Sequence, residues 1–369
     1  MRPATEPTDL VAVSSVSLST LLGVTDAAVE LCRNALFVDL HIDTLIPPRL
    51  WGYDIFKRHR PWFGGRFFGH LDVPRLEQVS MDAAMWSITT NPFRTAKGRY
   101  RTFLKNLEHF SGQIEANPHR LRWVRNAGEL RGKGIGVLLS IQGGNALEAA
   151  DDRVWAVLND RLTRVTLVHL TNSIYGASNA PIHQFVMHKG LTAAGRSVVE
   201  QLNEKRVFVD LAHIHPDGFW DALDVHTSKL PPIVTHTGLR GVRNHWRNID
   251  DDQVRAIADR GGVVGVMAHS GFLKRRSGPT GIEMIVEHIE HLINVGGVGV
   301  CSIGTDFDGA IIPPRGFRDG LMYPRLVQAM LDRNHSPSVI ERLLGTNFHE
   351  SFAQLRPSID ETKSSGANH

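Results

Sequence analysis

The stretch Leu36-Phe37-Val38-Asp39-Leu40-His41-Ile42-Asp43 is a short apolar run that leads directly into two side chains able to hold a metal ion. The arrangement repeats along the chain. Runs at 164–168, 207–211, 232–235 and 263–268 lead into His169, His213, His236 and His269, and the run at 298–303 leads into Asp306. The run at 136–141 leads into Gln142, and the run at 83–90 leads to no useful metal donor. These runs are four to eight residues long, rich in Val, Ile and Leu, with little alternation. That is the pattern of parallel strands covered on both faces, which have no wet side to carry polar residues.

Helical periodicity fills several of the gaps. Across 281–295, Ile282, Ile285, Val286, Ile289, Leu292 and Ile293 share one face, Glu283, Glu287, Glu290 and Asn294 the other, and Gly296-Gly297 ends the pattern. Residues 191–205 and 250–259 read as two more helices, the latter opened by three aspartates that suit the positive end of a helix dipole. Residues 323–352 are helical, with Ser336-Pro337 starting the last helix. Eight strands separated by helices predict an α/β fold, a (β/α)8 TIM-type barrel in a single domain. The alternative is an open doubly wound sheet, which the lack of a Gly-rich turn after the first strand weakens. Residues 1–24 read as an N-terminal extension and 25–369 as the barrel domain. Residues 47–74 are rich in Arg, Trp, Phe and Gly and follow the first strand, so they are expected to form a lid or substrate wall on the active face.

Bulk properties exclude other classes. The net charge of +3 is small for 369 residues, and no run of five Lys or Arg occurs, so neither nucleic acid nor a membrane surface is an expected partner. No stretch approaches the roughly 18 apolar residues of a membrane span. Residues 10–24 are diluted by Ser and Thr and follow Glu6 and Asp9, which does not suit a signal peptide, and a cytoplasmic location is expected. The two cysteines, Cys32 and Cys301, are expected to be buried, reduced thiols.

The donors are the chemistry. His41 and Asp43 are two residues apart directly after a strand, so both side chains fall on one side and can reach one ion. His213 and His236 end consecutive strand runs, and in a parallel barrel those ends meet at one mouth. Asp306 can ligate metal or take a proton from an attacking water. His169 can polarise a carbonyl, and Arg247 can grip a carboxylate through its fork of N–H donors.

His41-x-Asp43, Ser140-Ile141-Gln142-Gly143-Gly144, Asp210-Leu211-Ala212-His213, Pro232-Ile233-Val234-Thr235-His236, Arg247-Asn248 and Gly304-Thr305-Asp306-Phe307-Asp308-Gly309 together resemble the membrane (renal-type) dipeptidase family of zinc peptidases. The match runs in order from about residue 30 to 350. The resemblance implies a (β/α)8 barrel with zinc bound, hydrolysis of dipeptides, and often a homodimer. It implies His41 and Asp43 on one zinc, His213 and His236 on another, and position 142 between them. It assigns protons to Asp306 and a small peptide-like substrate to His169, Arg247 and the stretch at His269.

The chain departs from that pattern. Gln142-Gly143-Gly144-Asn145 stands where the family has Glu-Gly-Gly-His, and Gly345-Thr346-Asn347-Phe348-His349-Glu350 lacks the family's arginine. Two zinc ions about 3.5 Å apart repel by roughly 20 kcal/mol at an effective dielectric near 20. A bridging carboxylate offsets that repulsion and a neutral glutamine does not, so one zinc, or a loosened pair, is expected. Two functional readings follow. One is a metal-dependent dipeptidase-like hydrolase cleaving a dipeptide or related amide with a zinc-activated water. The other is a diverged member without peptidase activity that binds a peptide-like ligand or performs another step in a biosynthetic pathway.

Overall fold

The computed structural model describes residues 17–60, 64–181 and 188–358. Its strands are β1 (Val38–Ile42), β2 (Ala83–Thr89), β3 (Leu121–Trp123), β4 (Ile135–Gln142), β5 (Leu162–Thr166), β6 (Phe208–Asp210), β7 (Ile233–Thr237), β8 (Val263–Val266) and β9 (Cys301–Ile303). All pair in parallel, and β1, β2, β4, β5, β6, β7, β8 and β9 follow one another around one sheet. The two ends of that sheet meet. Ile42 bridges Phe307 in parallel, Asp306 N donates to His41 O at 3.0 Å, and Asp43 N donates to Phe307 O at 2.8 Å. The result is a nearly closed barrel of eight parallel strands, and the open sheet is ruled out.

The sequence reading needs correction at the edges. β3 was not anticipated, because Leu121-Arg122-Trp123 contains no apolar run; it flanks the start of β4 (Leu121↔Ile135) before β5 takes over at Leu139↔Leu162. The run at 298–303 yields only a three-residue strand, its first half being a tight 3-10 turn over Val298–Val300. The 21-residue helix Ala96–Ala116 also escaped notice, its buried stripe being just Phe103, Leu107, Phe110 and Ile114. Of residues 1–24, the described part packs on the barrel. Helix Leu18–Leu22 buries Leu22, whose carbonyl accepts from Arg325 Nε at 2.8 Å.

The barrel interior is layered. Val38, Leu40, Ala83, Met85, Leu138, Phe208, Ile233 and Val263 fill its lower part with Phe348, Phe352 and Leu355 of helix Asn347–Leu355, which stoppers the end where the strands begin. A larger apolar cluster joins the barrel to its helices. The cysteines are buried and unpaired, and burial pushes the Cys32 thiol up to about 12. Among the described residues no helix is long and apolar enough to cross a membrane.

Two register shifts aim the site. Between Asp39↔Ala84 and Ile42↔Trp86, three steps on β1 match two on β2. Between Val234↔Val264 and Thr237↔Val266, three steps on β7 match two on β8. An extra residue in one strand turns the following side chains. Asp39, before the shift, faces the helical layer by strand alternation and accepts hydrogen bonds from Thr305 N (3.1 Å), Thr305 Oγ1 (2.6 Å) and Tyr323 Oη. Leu40 stays in the lower interior, and His41 and Asp43 turn into the mouth.

Candidate active site

The strand exits are strained where chemistry is expected. His213 (φ +66°) and Asp306 (φ +62°) adopt left-handed backbone, which costs a non-glycine residue about 1–2 kcal/mol. Such strain persists only where the surroundings impose it. Gly143 (φ +91°) makes the turn after β4, and a Cβ there would sit 3.0 Å from Asn145 Oδ1 and 3.2 Å from His169 Cβ. A Cβ on Gly304 would lie 1.8 Å from Thr235 O, so only glycine lets β9 pass so close to β7.

These exits converge. His41 Nε2 lies 3.4 Å from Asp306 Oδ1 and 3.7 Å from Asp43 Oδ2. The His41 and His236 rings stack with centroids 3.8 Å apart, and His213 Nε2 faces His236 Nε2 at 2.9 Å. Donor atoms of His41, His236 and Asp306 all fall within 4.8 Å of one another. His169 packs edge-on against His213 (4.6 Å). Arg247 comes from the loop after β7, is 1% exposed, and donates from Nη2 to His236 O at 2.7 Å. Its Nε and Nη1 have no partner among the described residues. His269 is not in that donor group: its Nδ1 accepts from Ile312 N at 3.1 Å and its ring meets Phe272, while the Arg247 charge reaches it. Asp308 also points away, accepting from Thr44 Oγ1, Gly69 N and His70 N and so fastening the described part of 47–74 to the loop after β9. Residues 61–63 of that segment lie outside the described residues.

A family profile for membrane dipeptidases, peptidase family M19, matches residues 25–364. The chain belongs to the membrane dipeptidase family. Among curated relatives, an uncharacterized protein encoded 5′ of pqqA in Klebsiella pneumoniae is 36% identical over 162 residues, which is 43% of this chain and 59% of that protein, under two thirds of its length. Dipeptidase tcpJ of Claviceps purpurea is 28% identical over 296 residues, 76% of this chain and 68% of the relative. Among solved structures, that of the M19 metallopeptidase described as dipeptidase AC superposes with a TM-score of 0.76 at 25% identity, covering 88% of this chain and 99% of the other.

Within this dipeptidase fold the charges are finely opposed. Burial and then the Asp43 charge push the Asp306 carboxyl well above the usual range, against the pull of Arg247. Burial also raises Asp43, but hydrogen bonding and charge from His41, with His169 and Thr89, outweigh it and leave Asp43 below the usual range. Burial, followed by the neighbouring charges, holds His213 and His236 well below the normal histidine range, and burial takes His169 to about 4. These imidazoles are neutral near pH 7, the state in which histidine ligates metal.

Several residues of the site carry no motif in the sequence. Arg164 on β5 is fully buried and reaches across the lumen: Nη1 donates to Asp210 Oδ2 (2.6 Å) and to Thr166 Oγ1, and Nη2 donates to Ser87 Oγ (2.6 Å) and His41 Nδ1 (2.9 Å). Asp210 also accepts from Thr166 Oγ1 and Thr235 Oγ1, both at 2.7 Å. The available signal was an arginine and an aspartate within neighbouring strand runs otherwise apolar, since buried charges require partners. Thr89, at the end of the run without metal donors, gives its hydroxyl proton to Asp43 Oδ1 at 2.8 Å.

Proposed function

We propose that this chain is a metal-dependent hydrolase that cleaves a dipeptide or closely related amide, with a zinc ion at the barrel mouth. The observation carrying this reading is the convergence of His41, His236 and Asp306 within 4.8 Å, with His213 against His236 and with a buried Arg247 whose Nε and Nη1 lack partners among the described residues. The donor set fits a cation: the neutral His213 and His236 have ring nitrogens 2.9 Å apart, and a buried Asp306 oxygen lies within 4.8 Å of a His236 ring nitrogen. Zinc held there would polarise the scissile carbonyl and lower the pKa of a water toward neutrality.

The chain's own residues supply the rest. Arg247 offers two N–H groups to the substrate's C-terminal carboxylate, a pairing that explains why a buried guanidinium is left half unsatisfied. Asp306, whose carboxyl holds a proton more readily than usual, takes the proton of the incoming water and returns it to the departing amine. His169, neutral and packed edge-on against His213, borders the substrate beside the metal site. Family membership and the likeness to tcpJ and dipeptidase AC support a peptide substrate.

The test is a dipeptide panel, including substrates with a C-terminal D-residue, run on purified protein of measured zinc content. Turnover abolished by a chelator and restored by zinc is expected. Zinc-loaded protein that cleaves nothing in the panel, yet binds peptides, would favour the diverged, non-peptidase reading instead.

A further inference from the structure

We infer that the His41–Asp43 half of the site is not a metal half-site but a hydrogen-bonded relay, held by Arg164 and Gln142, so that the chain binds a single zinc at His213 and His236. The inference rests on the reading of the mouth as a metal centre and departs from the family arrangement of two ions. Distance alone would draw His41 into the ligand set with His236 and Asp306. The hydrogen bonds decide against it.

His41 Nδ1 meets a side chain that can only donate. Arg164 Nη2 lies 2.9 Å away, and a guanidinium has only donors, so Nδ1 must be the acceptor. A neutral imidazole with a bare Nδ1 carries its proton on Nε2. That nitrogen is the one facing Asp43, Asp306 and the mouth. Ligation through Nε2 calls for the reverse tautomer, whose Nδ1–H wants an accepting partner and cannot face a donor: Thr235 Oγ1 stands at His236 Nδ1 (2.9 Å), and no described donor opposes His213 Nδ1. Arg164 cannot supply that partner, and its own position is fixed by Asp210 and Ser87.

Gln142 completes the relay. Its carbonyl oxygen cannot lie against the two oxygens of Asp43, so its partners set the amide orientation. The NH2 group donates to Asp43 Oδ2 (2.8 Å), Asp43 Oδ1 (3.0 Å) and Thr89 Oγ1 (2.9 Å), and Oε1 accepts from His41 Nε2 (3.2 Å) and His169 Nε2 (3.3 Å). From Arg164 Nη2 through both nitrogens of His41 and the Gln142 amide to Asp43, each contact pairs a donor with an acceptor. A glutamate at 142 would set two carboxylates against each other with no proton to share, a conflict that a cation would resolve. Gln142 and Arg164 resolve it without one. Arg164 is thus a positioning residue acting through His41.

The experiment measures zinc per chain by mass spectrometry after dialysis, for the wild type, His41→Ala and His236→Ala. Expected values are one, one and none. The wild type is also examined by ¹⁵N NMR with labelled histidine, which reads the tautomer without any substitution and so survives a variant that fails to fold; the Nε2–H form of His41 is expected. Two zincs in the wild type, loss of zinc on His41→Ala, or an Nδ1–H tautomer overturns the inference and leaves the metal reading intact. A wild type that binds no zinc at all overturns both.

Discussion

Replacing Arg247 with lysine probes the proposed substrate grip directly. Arg247 is buried at the mouth with one N–H group spent on His236 O and with Nε and Nη1 free of partners among the described residues. Two charge-assisted hydrogen bonds to a carboxylate contribute about 3–6 kcal/mol together. Lysine keeps the charge but loses the planar spread of N–H donors, so about 2–3 kcal/mol of that should vanish. At 1.36 kcal/mol per factor of ten, kcat/KM for a free dipeptide should fall by about 30- to 150-fold. The control lies on the substrate. A dipeptide with its C-terminus amidated cannot accept both bonds, so the wild type should discriminate against it by a similar factor, whereas Arg247→Lys should treat the two substrates nearly alike. The assay is steady-state kinetics on both substrates with zinc content held equal. If Arg247→Lys discriminates as strongly as the wild type, Arg247 does not hold the carboxylate.

Three further outcomes are expected. His288 is buried, accepts from Leu239 N (2.9 Å) and pairs with Leu273 O (3.0 Å), and burial lowers its pKa from 6.5 to about 4; the unfolded chain therefore binds more protons between those values, stability falls as pH drops through 6.5 toward 4, and His288→Gln should lose about 2 kcal/mol less than wild type between pH 7.5 and 5 in urea titrations. Tyr323→Phe removes a hydroxyl donor from Asp39, whose carboxyl burial raises to about 6; the cost should be about 1.5–3 kcal/mol at pH 8 and smaller at pH 5, where Asp39 is largely protonated, and equal losses at both pH values would contradict the assignment. Gly143→Ala should lower stability by about 1–2 kcal/mol through its left-handed φ, and the contacts at Asn145 and His169 should cost turnover as well, so unchanged kcat with unchanged Tm would count against a functional turn there.

Much of the fold was legible because a parallel barrel strand declares itself locally. A run of four to eight Val, Ile and Leu has nowhere to go but a doubly covered sheet, and eight such runs with helices between them leave few alternatives. The donors at their ends were legible for the same reason: parallel strands share a direction, so the ends of successive runs meet at one mouth. His41, His213, His236 and Asp306 lie together there, whereas His269, at an equivalent strand end, turns to Ile312 instead, a choice that no spacing in the sequence records.

By itself, the sequence determined the eight runs that form the barrel, the barrel class, which strand ends carry a histidine or an aspartate, and the neutral amide at position 142, since each depends on local composition and order. The tertiary structure alone decided which way those donors point. Extra residues in β1 and β7 swing His41 and His236 inward, an offset visible only once each strand is laid against its neighbour. It also brought Arg164 from β5 against His41 of β1, 123 residues earlier in the chain. That contact, which governs where the imidazole keeps its proton, exists only because the sheet closes on itself and lets opposite walls of the barrel touch.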